Sequence, residues 1–275
     1  MIDYHIHPDY SLDAEGKIRD YCQLAKEMGY KEIGFTPHLE IDPKRKELDD
    51  KINLNGQIVS MRSNWLDYYF EEIDKARRDY PELKIRAGLE VGYEEEVKEE
   101  IKEIVAAYPF DYLLGAVHCV DHIALTSRNE FNLIKNRIRT AEEFLDKYFA
   151  ELRKAVASSL FDCLAHIDAY KKYIVKVYGP RLLTASQRYM AAFLTEIGKT
   201  NIGIEINLSG LRHELKEIYP APDLLRKAQG LGVKVFILGS DCHRVSDFGE
   251  FSKEGEKILK DLGIRLTSFW RRQRE

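Results

Sequence analysis

Seven short apolar, β-rich runs alternate with seven longer stretches of helical periodicity along this chain, and no other feature limits its fold so strongly. The runs are 2–7, 32–36, 83–90, 112–118, 161–166, 203–207 and 233–239, with 264–267 as a candidate eighth. Helical patterns fall at 17–28, 65–79, 94–107, 141–158, 185–199, 224–231 and 252–262. In the first of them Ile18, Tyr21, Cys22, Leu24 and Ala25 recur on one face. Gly29, Gly198 and Gly230 stand where those helices should end, as C-caps do. Repeated βα units predict a parallel sheet with helices outside it. No linker or compositional break divides the 275 residues. One barrel domain over 1–275 is therefore expected rather than two open sheets, and α/β barrels of about 250 residues are ordinary. The longest irregular stretch, 39–64, is rich in charge, contains Pro43, Asn55 and Gly56, and is expected to be a lid, a binding loop or disordered.

Composition removes several classes of function. The 42 Lys+Arg against 46 Asp+Glu leave a net charge of −4, unlike the basic balance of a dedicated nucleic-acid binder. The one basic cluster, Arg271, Arg272 and Arg274, reads as a solvated end. The apolar runs, such as 233–238 with Lys234 inside it, fall far short of the roughly 20 residues of a membrane span. The segment Met1-Ile2-Asp3-Tyr4-His5 lacks the basic and apolar regions of a signal peptide. Cys22, Cys119, Cys163 and Cys242 are far apart with no CxxC pair, which suits reduced thiols in the cytoplasm.

The histidines carry the argument further. His5 and His7 end the first strand, His38 follows the second, Glu90 ends the third, His118 the fourth and His166 the fifth. Asp241 and His243 follow the seventh. Six of the eight histidines thus fall at the carboxyl ends of strands, the face on which barrels build function. A His-x-His pair on a strand puts both imidazoles on one side. Imidazoles and carboxylates brought together from different strands make a site for Zn, Fe or Mn. A carboxylate such as Glu90 has two oxygens with which to bridge neighbouring ions, and paired ions activate water and clamp a phosphoryl group. His122 and His213 lie in expected loops and read as ordinary surface residues.

Taken together, His5-Ile6-His7, Asp13, Thr36-Pro37-His38, Gly88-Leu89-Glu90, Gly115-x-Val117-His118, His166-Ile167-Asp168 and Ser240-Asp241-Cys242-His243 resemble the polymerase and histidinol phosphatase (PHP) superfamily. Asp13, and the stretch 205–212 followed by Tyr219-Pro220, resemble its histidinol-phosphate phosphatase branch. The resemblance implies a distorted (β/α)7 TIM-like barrel with two to three divalent metal ions (Zn, Fe or Mn) at the C-terminal ends of its strands. One ion would lie among His5, His7, Glu90 and Asp241, a second among Asp13, His38 and His243, and a third among Glu90, His118 and His166. Two positions depart from the pattern: Leu208 replaces a small polar residue, and Cys242 stands between two ligands, where it reads as a buried, inert thiol.

The expected activity is hydrolysis of a small phosphate monoester, L-histidinol phosphate in histidine biosynthesis, with Asp13, Asp241 and His243 as catalytic residues. Arg212 and Lys172 lead the candidates for gripping phosphate, ahead of Lys171 and Arg244. The alternative is a PHP phosphoesterase acting on a phosphotyrosyl protein, a nucleotide or a sugar phosphate. An amidohydrolase barrel is disfavoured because no bridging lysine ends a middle strand. A purely structural metal site is disfavoured because such sites are closed cages favouring Cys. No nucleic-acid or membrane partner is expected. Phe269 and Trp270 pack either on this chain or on a second copy, which leaves a homo-oligomer open.

Overall fold

Apolar runs bounded by polar turns bury both faces of a strand, which a parallel sheet covered by helices requires. The computed structural model describes residues 1–275. Its strands β1 (Ile2–Ile6), β2 (Glu32–Phe35), β3 (Lys84–Gly92), β4 (Tyr112–Ala116), β5 (Cys163–Leu164), β6 (Gly203–Asn207) and β7 (Phe236–Gly239) lie in that order, all parallel. Just beyond β7 the chain returns to β1: the Asp241 N–H donates to the His5 carbonyl at 2.8 Å, and the His7 N–H donates to the Cys242 carbonyl at 3.0 Å. The sheet closes into a distorted (β/α)7 barrel. After each strand comes its helix: α1 (Ile18–Glu27), α2 (Trp65–Asp79), α3 (Lys98–Ala106), α4 (Ala141–Ser158), α5 (Pro180–Ile197), α6 (Pro222–Gly230) and α7 (Ser252–Leu262). None is long and apolar enough to cross a membrane.

Alternation along β3 shows how the interior is layered. Ile85, Ala87, Leu89 and Val91 join the large core between barrel and helices. The other face carries Arg86, Gly88, Glu90 and Gly92. Arg86 pairs with Glu32 at the floor. Gly88, together with Gly34 of β2, makes room for the ring of Tyr112, since a Cβ at either glycine would come within 2.5 Å of it. Glu90 reaches the upper layer. A register shift between Asp3 and Ile6 of β1 separates Tyr4, which joins the inner apolar cluster with Tyr112, Leu114 and Ile237, from the histidines above it.

Several expectations need correction. The fifth strand was expected over 161–166, but only Cys163 and Leu164 keep the ladder, because His166 turns to a φ of 24°. Segment 264–267 is not a strand; its tie to β7 is the Thr267 N–H, which donates to the Phe236 carbonyl at 2.8 Å. Beyond it Phe269–Trp270 pairs with Gln273–Arg274 as a hairpin under the barrel. Phe269 is buried there against Tyr4 and Tyr112, on this chain. The terminal arginines are exposed yet tied down: Arg272 donates to Asp162 at 3.0 Å, and Arg274 to the Asn201 carbonyl. Stretch 39–64 is not irregular. It holds a short strand, His38–Leu39, a helical turn over 43–49, and a hairpin, Ile52–Leu54 with Gln57–Val59. The hairpin turns at Asn55 and Gly56, both at positive φ, the conformation an Asn-Gly turn favours. Gly29 does end α1 in the left-handed conformation and Gly198 is the C-cap of α5 with right-handed dihedrals, whereas Gly230 is the last residue of α6 and Gly232 follows it at positive φ.

Candidate metal centre

All nine expected metal ligands meet at the carboxyl mouth of the barrel. His5, His7 and Glu90 are fully buried, His166 nearly so, and Asp13 stands at the rim with a side chain 65 % exposed. Glu90 is the hub. Its Oε1 lies 2.8 Å from His166 Nε2 and 3.3 Å from His118 Nε2. Its Oε2 faces the other way, 3.0 Å from His38 Nδ1, 3.3 Å from His5 Nε2 and 3.5 Å from His7 Nε2. Pairing of His38 with Glu90 across the short strand fixes this placement. Asp241 Oδ1 lies 3.3 Å from His7 Nε2 and 3.7 Å from His243 Nδ1. Asp13 Oδ2 closes the group, 3.4 Å from His243 Nε2. His166 and Asp241 both have positive φ, at 24° and 50°, a strain that persists at functional positions because the surroundings enforce it.

Five groups place ligand atoms within 4.8 Å of one another: His5–His7–Asp241, His7–His38–His243, Glu90–His118–His166 and His38–Glu40–His118 in the centre, and Asp42–Glu94–His122 outside it. The buried atoms His5 Nε2, His7 Nε2, His38 Nδ1 and Glu90 Oε2 have no hydrogen-bond partner, so a cation among them would satisfy donors that burial otherwise strands. An imidazole and carboxylate set without thiolate suits Zn, Fe or Mn. Cys242 is buried and joins no triad; burial pushes its thiol up, in keeping with an inert residue. Burial opposes ionisation of Glu90 and Asp241, but the imidazoles around them, His5 foremost, hold both carboxyls well below the usual range. Burial likewise works against charge on His5, and Glu205, Glu90 and Asp241 outweigh it.

Four supporting groups escaped sequence reasoning. Glu205 on β6 lies 2.6 Å from His5 Nδ1. Glu40 lies 2.6 Å from His118 Nδ1. Asn207 and Ser209 donate to Asp241 Oδ2 at 3.2 and 3.0 Å. Such partners orient metal-binding imidazoles and carboxylates. Polar residues at positions 205 and 207, alternating with Ile204 and Ile206, are the signal that could have found the first and third. Glu40 and Ser209 follow strands as many surface residues do and left no such mark.

The centre opens into a cavity of about 430 Å³. Lys172 lines it, with its ammonium 5.6 Å from the Tyr173 ring centre. Arg212, expected to grip phosphate, does not line it. Its guanidinium donates to the Ser240 and Asp247 carbonyls and to Glu250, and faces a separate cavity beside α7. Lys171 pairs with the buried Asp168 and with Glu217, and Arg244 pairs with Glu15 in solvent. Arg45, buried, joins Asp49 to Glu130 and binds the loop 39–64 to the loop after β4 at the cavity wall. His122 and His213 are not plain surface residues. His122 sits between Asp42 and Lys44, and His213 stacks on Tyr219.

Fold and site together define a metal-binding (β/α)7 barrel. The chain belongs to the PHP domain family, whose model matches residues 3–209. It is 26% identical over 274 residues to a probable histidinol-phosphatase of Deinococcus radiodurans, covering 99% of this chain and 98% of that one. It is 27% identical over 248 residues to the histidinol-phosphatase of Lactococcus lactis, covering 88% of this chain and 84% of the relative. The crystal structure of a histidinol phosphate phosphatase from Lactococcus lactis, complexed with Zn, L-histidinol and phosphate, superposes with a TM-score of 0.80 at 24% identity. That match covers 100% of this chain and 98% of the neighbour, and carries the likeness of fold.

Proposed function

We propose that this chain is a metal-dependent phosphatase that hydrolyses L-histidinol phosphate to L-histidinol. The observation that carries this reading is Glu90, whose two oxygens each face a different pair or trio of imidazoles at the floor of an open cavity. The names of the relatives support the choice of ester.

His5, His7 and Asp241 would hold one ion, Asp13, His38 and His243 a second, and His118 and His166 a third, with Glu90 shared between the first and the third. Two to three ions of Zn, Fe or Mn would supply Lewis acidity and a nucleophile at neutral pH. The protein does the rest. Glu205 and Glu40 lock the His5 and His118 rings in place. Asp13, His243 and Asp241 stand in a row, at 3.4 and 3.7 Å, on the open side of the centre, where they would position the water whose hydroxide adds to phosphorus and whose proton passes to the leaving alkoxide. Lys172 presents its ammonium to the phosphoryl oxygens. Catalysis is thus chiefly positioning and charge stabilisation. The four cysteines are unpaired, which supports work in the reducing cytoplasm on a small-molecule substrate.

Steady-state assays on protein reconstituted with each metal test the reading. His118→Ala and Asp241→Ala each lower kcat/KM at least a hundredfold; turnover within about threefold of the parent overturns the mechanism. Equal turnover of p-nitrophenyl phosphate and histidinol phosphate overturns the substrate assignment.

A further inference from the structure

Nine buried side-chain atoms lack a hydrogen-bond partner. Six belong to His5, His7, His38, Glu90 and His166 of the metal centre. Two are the oxygens of Asp168, one of which lies 2.9 Å from the Lys171 ammonium. The ninth is the hydroxyl of Tyr219, a residue 2 % exposed that lines the same cavity as the histidines. A buried hydroxyl left unbonded costs about 1–3 kcal/mol, so a fold keeps one where a partner arrives from outside the chain.

The ring has little freedom to turn elsewhere. The Tyr219 and Asn207 backbones exchange two hydrogen bonds, at 2.7 and 2.9 Å. His213 stacks on the ring with an interplanar angle of 16°. Gly210 lies so close that a Cβ there would come within 3.1 Å of it. Asn207 in turn donates to Asp241, so the tyrosine and a metal ligand ride on one rigid frame. Burial, and then the charge of Asp168, push the phenol above its ordinary pKa, which leaves it a donor throughout the neutral range. No hydrogen bond joins the hydroxyl to the carboxylates around it: Asp168 faces the Lys171 ammonium at 2.9 Å, and Asp241 Oδ2 accepts from Asn207 and Ser209. Lys172 of the same wall makes no ion pair, unlike its neighbour Lys171. A proton donor and a cation lining one cavity, the hydroxyl without a hydrogen bond and the ammonium without an ion pair, suit an acceptor-rich dianion.

We propose that the Tyr219 hydroxyl donates a hydrogen bond to a phosphoryl oxygen of the bound ester and, with Lys172, forms the part of the phosphate site that the metal ions do not supply. This rests on the phosphatase reading of the cavity.

Tyr219→Phe removes the oxygen alone. Two measurements read it: inhibition by inorganic phosphate in steady-state assays, and calorimetric binding of inorganic phosphate to Zn-loaded protein. The expected result is a KM for the ester and an inhibition constant for phosphate raised about tenfold or more, the scale of a hydrogen bond to a charged group. The expected kcat stays within threefold, because the contact exists in ground and transition states alike. The thermal midpoint is unchanged or higher, since no internal bond is lost. A phosphate constant within twofold of the parent overturns the proposal, as does a lowered midpoint with unchanged phosphate binding, which would mean that the hydroxyl serves the fold. Parent protein that hydrolyses no ester with Zn, Fe or Mn overturns the phosphatase reading instead, and calorimetry still reports whether Tyr219 holds the anion.

Discussion

Glu205 braces two residues of the metal centre at once: one oxygen lies 2.6 Å from His5 Nδ1, and the other accepts the His166 backbone N–H at 2.9 Å. Glu205 and His5 are both fully buried, so the pair keeps its geometry free of solvent competition. Glu205→Gln keeps the shape and removes the charge. It should weaken metal retention roughly 10- to 100-fold, as losses of such orienting partners do. Chelator competition followed by metal quantification checks this, and unchanged retention would show that the brace is dispensable.

Chelation of the loaded protein should abolish ester hydrolysis and lower the thermal midpoint together. The converging imidazoles and the Glu90 and Asp241 carboxylates would then lose their shared cation, with His5, His7 and Glu90 still buried. Adding back Zn, Mn or Fe should restore both; a midpoint indifferent to chelator would contradict the reading of these residues as ligands.

Arg45 is 4 % exposed, and its partners Asp49 and Glu130 belong to separate loops. Arg45→Met should cost about 3 kcal/mol in urea unfolding, because two partly buried carboxylates lose their cation. It should also raise KM, since both loops line the cavity. A variant as stable as its parent would show the bracket to be energetically idle.

Glu94 titrates abnormally high. Burial, followed by Asp42 and Glu151, pushes its pKa up to about 8 from 4.5. A carboxyl whose folded-state pKa is raised contributes stability that is full below its unfolded value and is lost as pH rises through the folded one. The window is therefore about pH 4.5 to 8. Glu94→Gln should match the parent's pH trend below that window and be more stable by about 2 kcal/mol at pH 9, allowing for partial exposure. Urea titrations at pH 4.5 and pH 9 test it; equal stability at the upper pH would refute the assignment.

Phe269 seals the floor of the barrel, far along the strands from the metal ligands. Phe269→Ala should cost about 3–5 kcal/mol, as truncations of buried aromatics do, with kcat per folded molecule unchanged. A large fall in kcat without loss of stability would mean that floor and mouth are coupled.

The barrel was legible because its strands are short apolar runs and its helices carry one-sided periodicity, both local signals. The candidate ligands were legible for a related reason: histidines repeated at strand ends stand out against apolar residues. What failed was direction. Arg212 belongs to the stretch 205–212 that resembles the histidinol-phosphatase branch, yet its guanidinium turns to the Ser240 carbonyl, and no spacing rule reports which way a long side chain leaves a loop. Glu205 was visible as an acid inside a strand, but its role depends on β1 and β6 lying within reach across the barrel, a non-local fact. The fifth strand ended early because His166 turns out of the ladder, at a residue whose type gives no warning of a positive φ.

Tyr112 fills the middle of the barrel only because Gly34 and Gly88, on two different strands, leave space for its ring. The three positions therefore behave as one inherited unit. Enlarging either glycine while the tyrosine remains would force the staves apart, and shrinking the tyrosine alone would open a void between them. Descendants of this chain can revise that layer only by changing its members in concert, so these sites should co-vary in any lineage that departs from them.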